Sequence, residues 1–447
     1  VAWTYWCEEV VGKDYLVYYK PDTEVNFSTQ SRSQQESRCP SGGKRSQEIL
    51  MGKQSRPGND KKLGVLIGGS GLIGGGILNY FKTSNKEEFE LLAPNSKRLS
   101  LRESEDIRIY LKRYTPDFII NTAITTIDSN PLLTLETNYL GTVNLARAAV
   151  DLGIPYIHFS SAAVMPTGEN LGEDDQLRLT PELDNYPKSK LLAELALQEM
   201  HRTLGLDYTN IRLAVVYGAH DHKIQGFQRM LFSLADQTMP FLFTNQQAMH
   251  SYSNAKKVPS FVHHLLTHRE EFSGQTVHFV DPNPVSLSQL ILTIKSYLEL
   301  KRPREIFLPY RLAKFGAKSM VALTRILRRI GIESKMPPEL MFLKNFYQTQ
   351  TLSATKLGQS SFVDPNPRAT VFTELPMLIQ YYLARWEDLN LILPYDKVYF
   401  DPSKRADIFL NDPEQMLASL KDIISSPFLD TCTWPRGEVV DSIKRDK

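Results

Sequence analysis

Ser161, Tyr186 and Lys190 have the types and the order needed to move a proton. Tyr186 and Lys190 stand four apart in Tyr186-Pro187-Lys188-Ser189-Lys190, which opens an apolar segment at 191–200 that reads as a helix. Four residues is one helical turn, so both side chains fall on one face, and Pro187 suits the first turn. A phenol of pKa about 10 is a poor base at neutral pH. An ammonium group nearby stabilises the phenolate, and a serine hydroxyl can hold the reacting oxygen, which makes the tyrosine a usable acid or base. A bare Y-x-x-x-K is common as surface decoration. Here it follows Ser160 and Ser161 at the end of an apolar strand at 156–159.

A proton-moving group of this kind works beside a hydride carrier, and residues 63–76, LGVLIGGSGLIGGG, read as the place to bind one. Leu63, Val65, Leu66 and Ile67 make a short buried strand. Gly68, Gly71 and Gly74 follow before an apolar helix at 77–81. A dinucleotide pyrophosphate needs backbone N–H groups aimed at it from a helix N-terminus, with no Cβ in the way. Glycine-rich turns after strands are common, so the motif carries weight only with the constellation downstream.

The elements that must position these residues follow in order. A second strand at 89–93 leads to Pro94, Asn95, Ser96, Lys97 and Arg98. An acidic residue there would bind the ribose hydroxyls of NAD. Two cations stand there instead, which favours a 2′-phosphate and hence NADP over NAD, with an ordinary solvated loop as the alternative. An amphipathic helix at 104–114 precedes a buried strand at 117–121, and Asn121 and Ala123 fall near its carboxyl end, where they are expected to border the cofactor. A helix at 135–152 carries Asn138 on an apolar face. That amide either satisfies backbone groups or joins a proton or water relay.

With these residues in place, the chain resembles the extended short-chain dehydrogenases/reductases of the NAD(P)-dependent epimerase/dehydratase type. The carrying motifs are GGSGLIG (68–74), PDFIINTAI (116–124), TNYLGTVNLARAA (137–149), HFSSAAV (158–164), YPKSK (186–190) and IRLAVVYG (211–218). The passage ELLAPNSKRLSL (90–101) is similar to the second strand of dTDP-4-dehydrorhamnose reductases and GDP-fucose synthases. The resemblance implies an α/β fold, a doubly wound parallel Rossmann sheet with a smaller C-terminal substrate lobe. It implies Ser161, Tyr186 and Lys190 as catalytic residues. It places the cofactor against Gly68, Ser70, Gly71, Leu72, Ile73, Gly74, Asn95, Lys97, Arg98, Asn121, Ala123, Asn138, Ala214 and Val215, together with Tyr186 and Lys190. The implied activity is oxidoreduction or epimerisation of a sugar nucleotide or related carbonyl substrate. Two alternatives stay open: an enzyme similar to sterol or 3β-hydroxysteroid dehydrogenases, and a non-catalytic cofactor-binding scaffold.

Departures from the family pattern concern the substrate. Val164, Met165 and Pro166 stand where V-Y-G is usual, Val215 replaces an Asn that contacts the nucleotide diphosphate, and Lys256 and Lys257 replace two acids. Expected boundaries are a poorly ordered arm at 1–60, a Rossmann domain at 61–218, a substrate lobe at 219–385 and an extension at 386–447. Residues 26–62 are too poor in large apolar side chains to offset their ordering entropy. A natural start at Met51 and a real interaction arm are both open. A short strand is expected within 11–19.

Composition limits the rest. The 447 residues are 42% hydrophobic, with 52 basic and 50 acidic side chains and a net charge of +2, so no global field argues for nucleic acid. Cys7, Cys39 and Cys432 lack C-x-x-C spacing, which fits a reducing cytoplasm better than a disulfide framework or zinc site. No apolar run reaches the roughly 18 residues of a membrane span. His220, His222, His263 and His264 have no carboxylate or thiol at a ligand spacing, and no metal is expected. The basic, apolar stretch 310–332 reads as a lobe helix with a solvated face, or as a peripheral contact with an anionic membrane or a phosphate clamp. The expected partner is a small-molecule substrate, with a homodimer left open.

Overall fold

The computed structural model describes residues 61–392, apart from 85–86, 126–128, 237–240, 244–247, 299, 301–302, 307–308, 317–318, 320–342 and 390, together with residues 410 and 414. The N-terminal arm, the strand expected at 11–19, the three cysteines and most of the basic stretch 310–332 lie outside these residues.

The first strand, β1 (Lys62–Ile67), is buried from Leu63 onward and feeds α1 (Leu72–Thr83). Next come β2 (Phe89–Leu92), α2 (Ser104–Tyr114) and β3 (Phe118–Asn121). The helix expected at 135–152 is a compound one. A turn at Pro131–Thr134 runs into a π-helical segment, Leu135–Leu140, and then into α3 (Gly141–Leu152), which ends on Gly153 in the left-handed region. The central strand β4 (Tyr156–Ser161) is followed by β5 (Gly168–Leu171), α4 (Asn185–Leu204) and β6 (Tyr208–Leu213).

The chain continues through β7 (Val215–Tyr217), α5 (Gly226–Ala235), β8 (Phe241–Phe243), β9 (Met249–His250), β10 (Tyr252–Asn254), α6 (Val258–Thr267) and β11 (Gln275–Phe279). After these come β12 (Val285–Ser286), α7 (Leu287–Tyr297), β13 (Arg304–Ile306), a short helix Leu343–Tyr347, β14 (Gln350–Leu352) and α8 (Val371–Asp388).

Six strands form the main sheet in the order β11-β6-β4-β3-β1-β2, every pair parallel. The order reverses between β1 and β3, the place where open α/β sheets bind ligands outside the carboxyl ends of their strands. Both faces are buried, which is why these strands read as continuous apolar runs. Leu66, Ile77, Phe81, Ile157, Phe159 and Phe261 pack one face beneath α1 and α6; Val65, Ile107, Leu145, Tyr156 and Leu197 pack the other beneath α2, α3 and α4.

The expected division at Gly218 is crossed. Strand β11 lies beyond it yet pairs with β6 from Gln275↔Thr209 to Phe279↔Leu213, and α6 packs on α1. The physical reason is that an edge strand buries its apolar residues only by joining the sheet. The boundary at 386 is crossed too: α8 runs to Asp388, and Trp386 and Ile392 are buried in the lobe core with Phe227, Leu231, Leu290 and Leu378. A four-stranded sheet, β12-β9-β14-β5, joins that lobe to the segment following β4.

Candidate active site

Strand β1 ends at Ile67, and the chain turns through Gly68 at φ +84°, a conformation open to glycine. Gly71 N–H donates to the Gly68 carbonyl at 3.0 Å, and Gly71 caps α1. A Cβ at Gly74 would stand 2.2 Å from the Gly68 oxygen, so the first turn of α1 sits on the strand end only because that residue is glycine. At Gly71 a Cβ would meet nothing nearer than that oxygen at 3.5 Å. The backbone is therefore bare on the side that faces a cavity of about 550 Å³, lined by Gly68, Ser70, Gly71, Leu72, Ile73 and Gly74. Free N–H groups at a helix start with no side chain over them suit a pyrophosphate, and the residues present fit a dinucleotide there.

The same cavity is lined by Ser161, Tyr186 and Lys190, and by Ala123, Ala214 and Val215. Ser161 ends β4 and caps a 3-10 turn at Ala162–Val164, its Oγ accepting from Ala163 N at 3.2 Å. Tyr186 and Lys190 lie in the first turns of α4 and are 7% and 2% exposed. Burial pushes the Tyr186 phenol up to about 12, against the pull of its hydrogen bond with Ser161. Burial also lowers the Lys190 amine to about 8, while the Glu194 carboxylate one turn further along α4 acts in the other direction. Lys190 Nζ donates to the Phe159 carbonyl at 2.8 Å. The phenol is thus kept protonated at neutral pH, an acid with a hydroxyl partner.

Five residues expected at the cofactor lie outside this cavity's lining. Asn121, 1% exposed, donates from Nδ2 to Tyr156 Oη at 2.9 Å and Thr142 Oγ1 at 3.3 Å, and accepts from Ala123 N. Asn138 sits in the π-helical segment. It accepts from Thr125 N and donates to Thr125 Oγ1 and Ser189 Oγ, each at 3.1 Å, and Ser189 Oγ in turn donates to the Tyr186 carbonyl. Asn95 caps an exposed turn after β2, its Oδ1 accepting from Lys97 N and Arg98 N at 3.1 Å, so both cations are held at the end of that strand.

The outer wall comes from chain segments where sequence spacing carries no signal. His250, Lys344, Gln348 and Gln350 line the cavity from the lobe, and Met165 and Thr167 from the segment after β4. Burial holds the Lys344 amine below its usual range. Lys256 and Lys257 point elsewhere: Lys256 Nζ pairs with Glu374 Oε2 at 2.5 Å and Lys257 Nζ with Asp364 Oδ2 at 2.8 Å.

The histidines are dispersed. His220 packs on Tyr381, His222 Nδ1 meets Arg385, His263 meets Glu88, and His264 stacks on His268. Among the described residues, no three His, Cys, Asp or Glu side chains converge on one point. Behind the site, Arg212 is fully buried, donating to Glu194 from Nε and Nη2, to the Glu173 carbonyl and Gln176, and from Nη1 to Met165 Sδ at 3.3 Å.

Residues 65–277 match the model of the NAD dependent epimerase/dehydratase family. GDP-L-colitose synthase of Yersinia pseudotuberculosis is 31% identical over 137 residues, 29% of this chain and 44% of that protein. dTDP-4-dehydrorhamnose reductase of Sinorhizobium fredii is 26% identical over 166 residues, 36% and 53% respectively. The chain spans about half the length of the curated relatives it matches. The fold is shared with solved structures. A dTDP-4-dehydrorhamnose reductase from Clostridium acetobutylicum has a TM-score of 0.52 at 16% identity, covering 72% of this chain and 99% of that one. A GDP-L-fucose synthetase from Naegleria fowleri bound to NADP has a TM-score of 0.52 at 15% identity, covering 73% and 95%. Among the described residues, no helix is long and apolar enough to cross a membrane. A glycine turn, a serine and a tyrosine on one cavity and the match over 65–277 agree in making this part of the chain similar to the NAD dependent epimerase/dehydratase family.

Proposed function

We propose that this chain is an NAD(P)-dependent reductase or epimerase of sugar nucleotides, with Tyr186 as the proton donor and acceptor at the reacting oxygen, Ser161 as the hydroxyl that holds that oxygen, and Lys190 as the cation beside them. The observation that carries it is that Ser161, Tyr186 and Lys190 line the cavity into which the bare backbone of the glycine turn also opens. Bound along that turn, the nicotinamide cofactor supplies or takes up the hydride.

The protein's own part is acid–base and positional. Tyr186, protonated at neutral pH, gives its proton to the oxygen of a carbonyl being reduced, and Ser161 donates to the same oxygen, stabilising charge that grows in the transition state. Lys97 and Arg98, with no carboxylate beside them in the segment after β2, would hold a 2′-phosphate, so NADP is the favoured cofactor. The anionic end of a sugar nucleotide would meet Lys223 and Lys344 on the outer wall. The proteins similar in sequence include enzymes named for GDP- and dTDP-linked sugars, which supports the same substrate class.

The test is a panel of dTDP-, GDP- and UDP-linked 4-keto sugars with NADPH or NADH, followed by loss of reduced-cofactor absorbance, and of the corresponding hydroxy sugars, followed by chromatography for epimers, with a 3β-hydroxysteroid and NADP⁺, followed by gain of that absorbance, as the competing arm. Turnover of a sugar nucleotide that Tyr186→Phe abolishes is expected. Turnover confined to the steroid arm would transfer the reading to the sterol-type alternative. Tight NADPH binding with no turnover in either arm would favour a cofactor-binding scaffold.

A further inference from the structure

Gln350 stands 189 positions after Ser161, at the start of β14. Its backbone is seated between two neighbours, in register with His250 of β9 and Gly168 of β5, and its carbonyl accepts from Ser251 N at 3.2 Å. Leu352 N, two residues on, donates to Ser251 Oγ at 2.9 Å. From this mount the side chain reaches the segment that follows Ser161. Gln350 Nε2 lies 3.0 Å from the Met165 carbonyl, 3.1 Å from that of Pro166 and 3.3 Å from that of Ala162.

These three acceptors belong to the single turn of 3-10 helix that Ser161 caps and to the residues that leave it. A turn this short has carbonyls it cannot satisfy internally, and in a buried wall each needs a donor. The Ala162 carbonyl already accepts from Met165 N at 3.0 Å, closing the turn, and Ser161 Oγ accepts from Ala163 N inside the same turn. The Gln350 amide therefore ties the entry and the exit of the turn to one paired strand of the lobe. The Ser161 hydroxyl, fixed at the head of the turn, is the group whose hydrogen bond pulls on the Tyr186 phenol.

We propose that Gln350 is a positioning residue for the acid–base pair: by holding the carbonyls of Ala162, Met165 and Pro166 it sets where the Ser161 hydroxyl stands against Tyr186, so that the C-terminal lobe completes the site from the far end of the chain. The inference rests on the Ser161–Tyr186 reading given above. It makes the amide's two N–H groups, rather than its bulk, the property that matters.

The experiment uses the full chain labelled with carbon-13 at tyrosine Cζ, with the Tyr186 resonance assigned by its loss in Tyr186→Phe. Ser161→Ala is expected to displace that resonance, and Gln350→Leu and the near-isosteric Gln350→Glu to displace it in the same direction. Adding Gln350→Leu to Ser161→Ala should give little further change, since residues acting through one contact are not additive. On any sugar nucleotide that is turned over, Gln350→Leu should lower kcat roughly tenfold to a hundredfold, the scale of a displaced catalytic group, with the NADPH dissociation constant within about twofold of the parent.

A Tyr186 resonance that moves in Ser161→Ala and stays put in both Gln350 variants overturns the positioning role alone. A resonance indifferent to Ser161→Ala overturns the acid–base pair and the inference with it. Equal losses of NADPH affinity and kcat in both Gln350 variants, accompanied by a fall in melting temperature, would make the residue a packing element and also overturn the proposal. Gln350→Glu keeps the test open if the leucine variant fails to fold.

Discussion

Lys190 Nζ donates to the carbonyl of Phe159, 2.8 Å away, and not to the phenol of Tyr186 four residues earlier on the same helix. The bond ties the start of α4 to the strand that carries Ser161 two residues further on. It leaves the tyrosine governed by burial and by Ser161, while the buried amine titrates near 8. The two groups therefore separate in pH, and the lysine is the one within experimental reach.

If the ammonium form of Lys190 is the productive one, reduction rates should fall as pH rises through about 8, and the limb should vanish in Lys190→Met. A profile flat to pH 10 would sink the assignment. The same burial has a stability consequence of definite sign. The amine's folded value lies below its ordinary 10.5, so between about 8 and 10.5 the unfolded chain binds the extra proton. The Lys190 contribution to stability then rises with pH across that window. Melting curves of the parent, but not of Lys190→Met, should show that increment.

Tyr186→Phe keeps the ring and removes the acid. Turnover should drop by about two to four orders of magnitude, with cofactor affinity nearly unchanged, whereas Ser161→Ala should lower the rate without touching cofactor affinity. Stopped-flow hydride transfer and a fluorescence titration separate the two quantities. Full turnover in Tyr186→Phe on an accepted substrate would leave the chain a cofactor-binding module.

Cofactor choice is tested at the exposed turn after β2. NADPH should bind more tightly than NADH, and Arg98→Ala should narrow the gap by roughly 1.5 to 3 kcal/mol, the value of a charge-assisted contact. Equal affinities for the two cofactors in the parent would refute the role given to Lys97 and Arg98.

Arg212 and Glu194 form a fully buried ion pair with an Nη2 to Oε2 distance of 2.6 Å. Removing one partner strands the other charge, so Arg212→Met and Glu194→Met should each cost about 3 to 5 kcal/mol, and the double variant less than the sum of the two. Denaturant melts of the four proteins give the coupling directly. Additive losses would show that the two side chains act independently.

What the sequence determined by itself is what local spacing can carry. Apolar residues followed by Gly68, Gly71 and Gly74 specify a strand, a turn and a helix start, and the four-residue interval puts Tyr186 and Lys190 on one face of α4 whatever surrounds it. The parallel, doubly wound class follows from such units in series. Tertiary structure decided the matters that depend on which side of an element meets which neighbour. Asn121 and Asn138 occupy positions from which an amide could reach a cofactor, yet their partners are Tyr156, Thr142, Thr125 and Ser189, because those groups close over them on packing. The edge strand β11 joined the main sheet from beyond the expected boundary, since pairing with β6 is how its apolar residues become buried. Gln350 and Arg212 reach the wall of the site across 185 and 47 residues from Met165, respectively for their backbone and sulfur contacts. Contacts that distant in the chain arise from strand pairing and sheet order, which no short motif encodes.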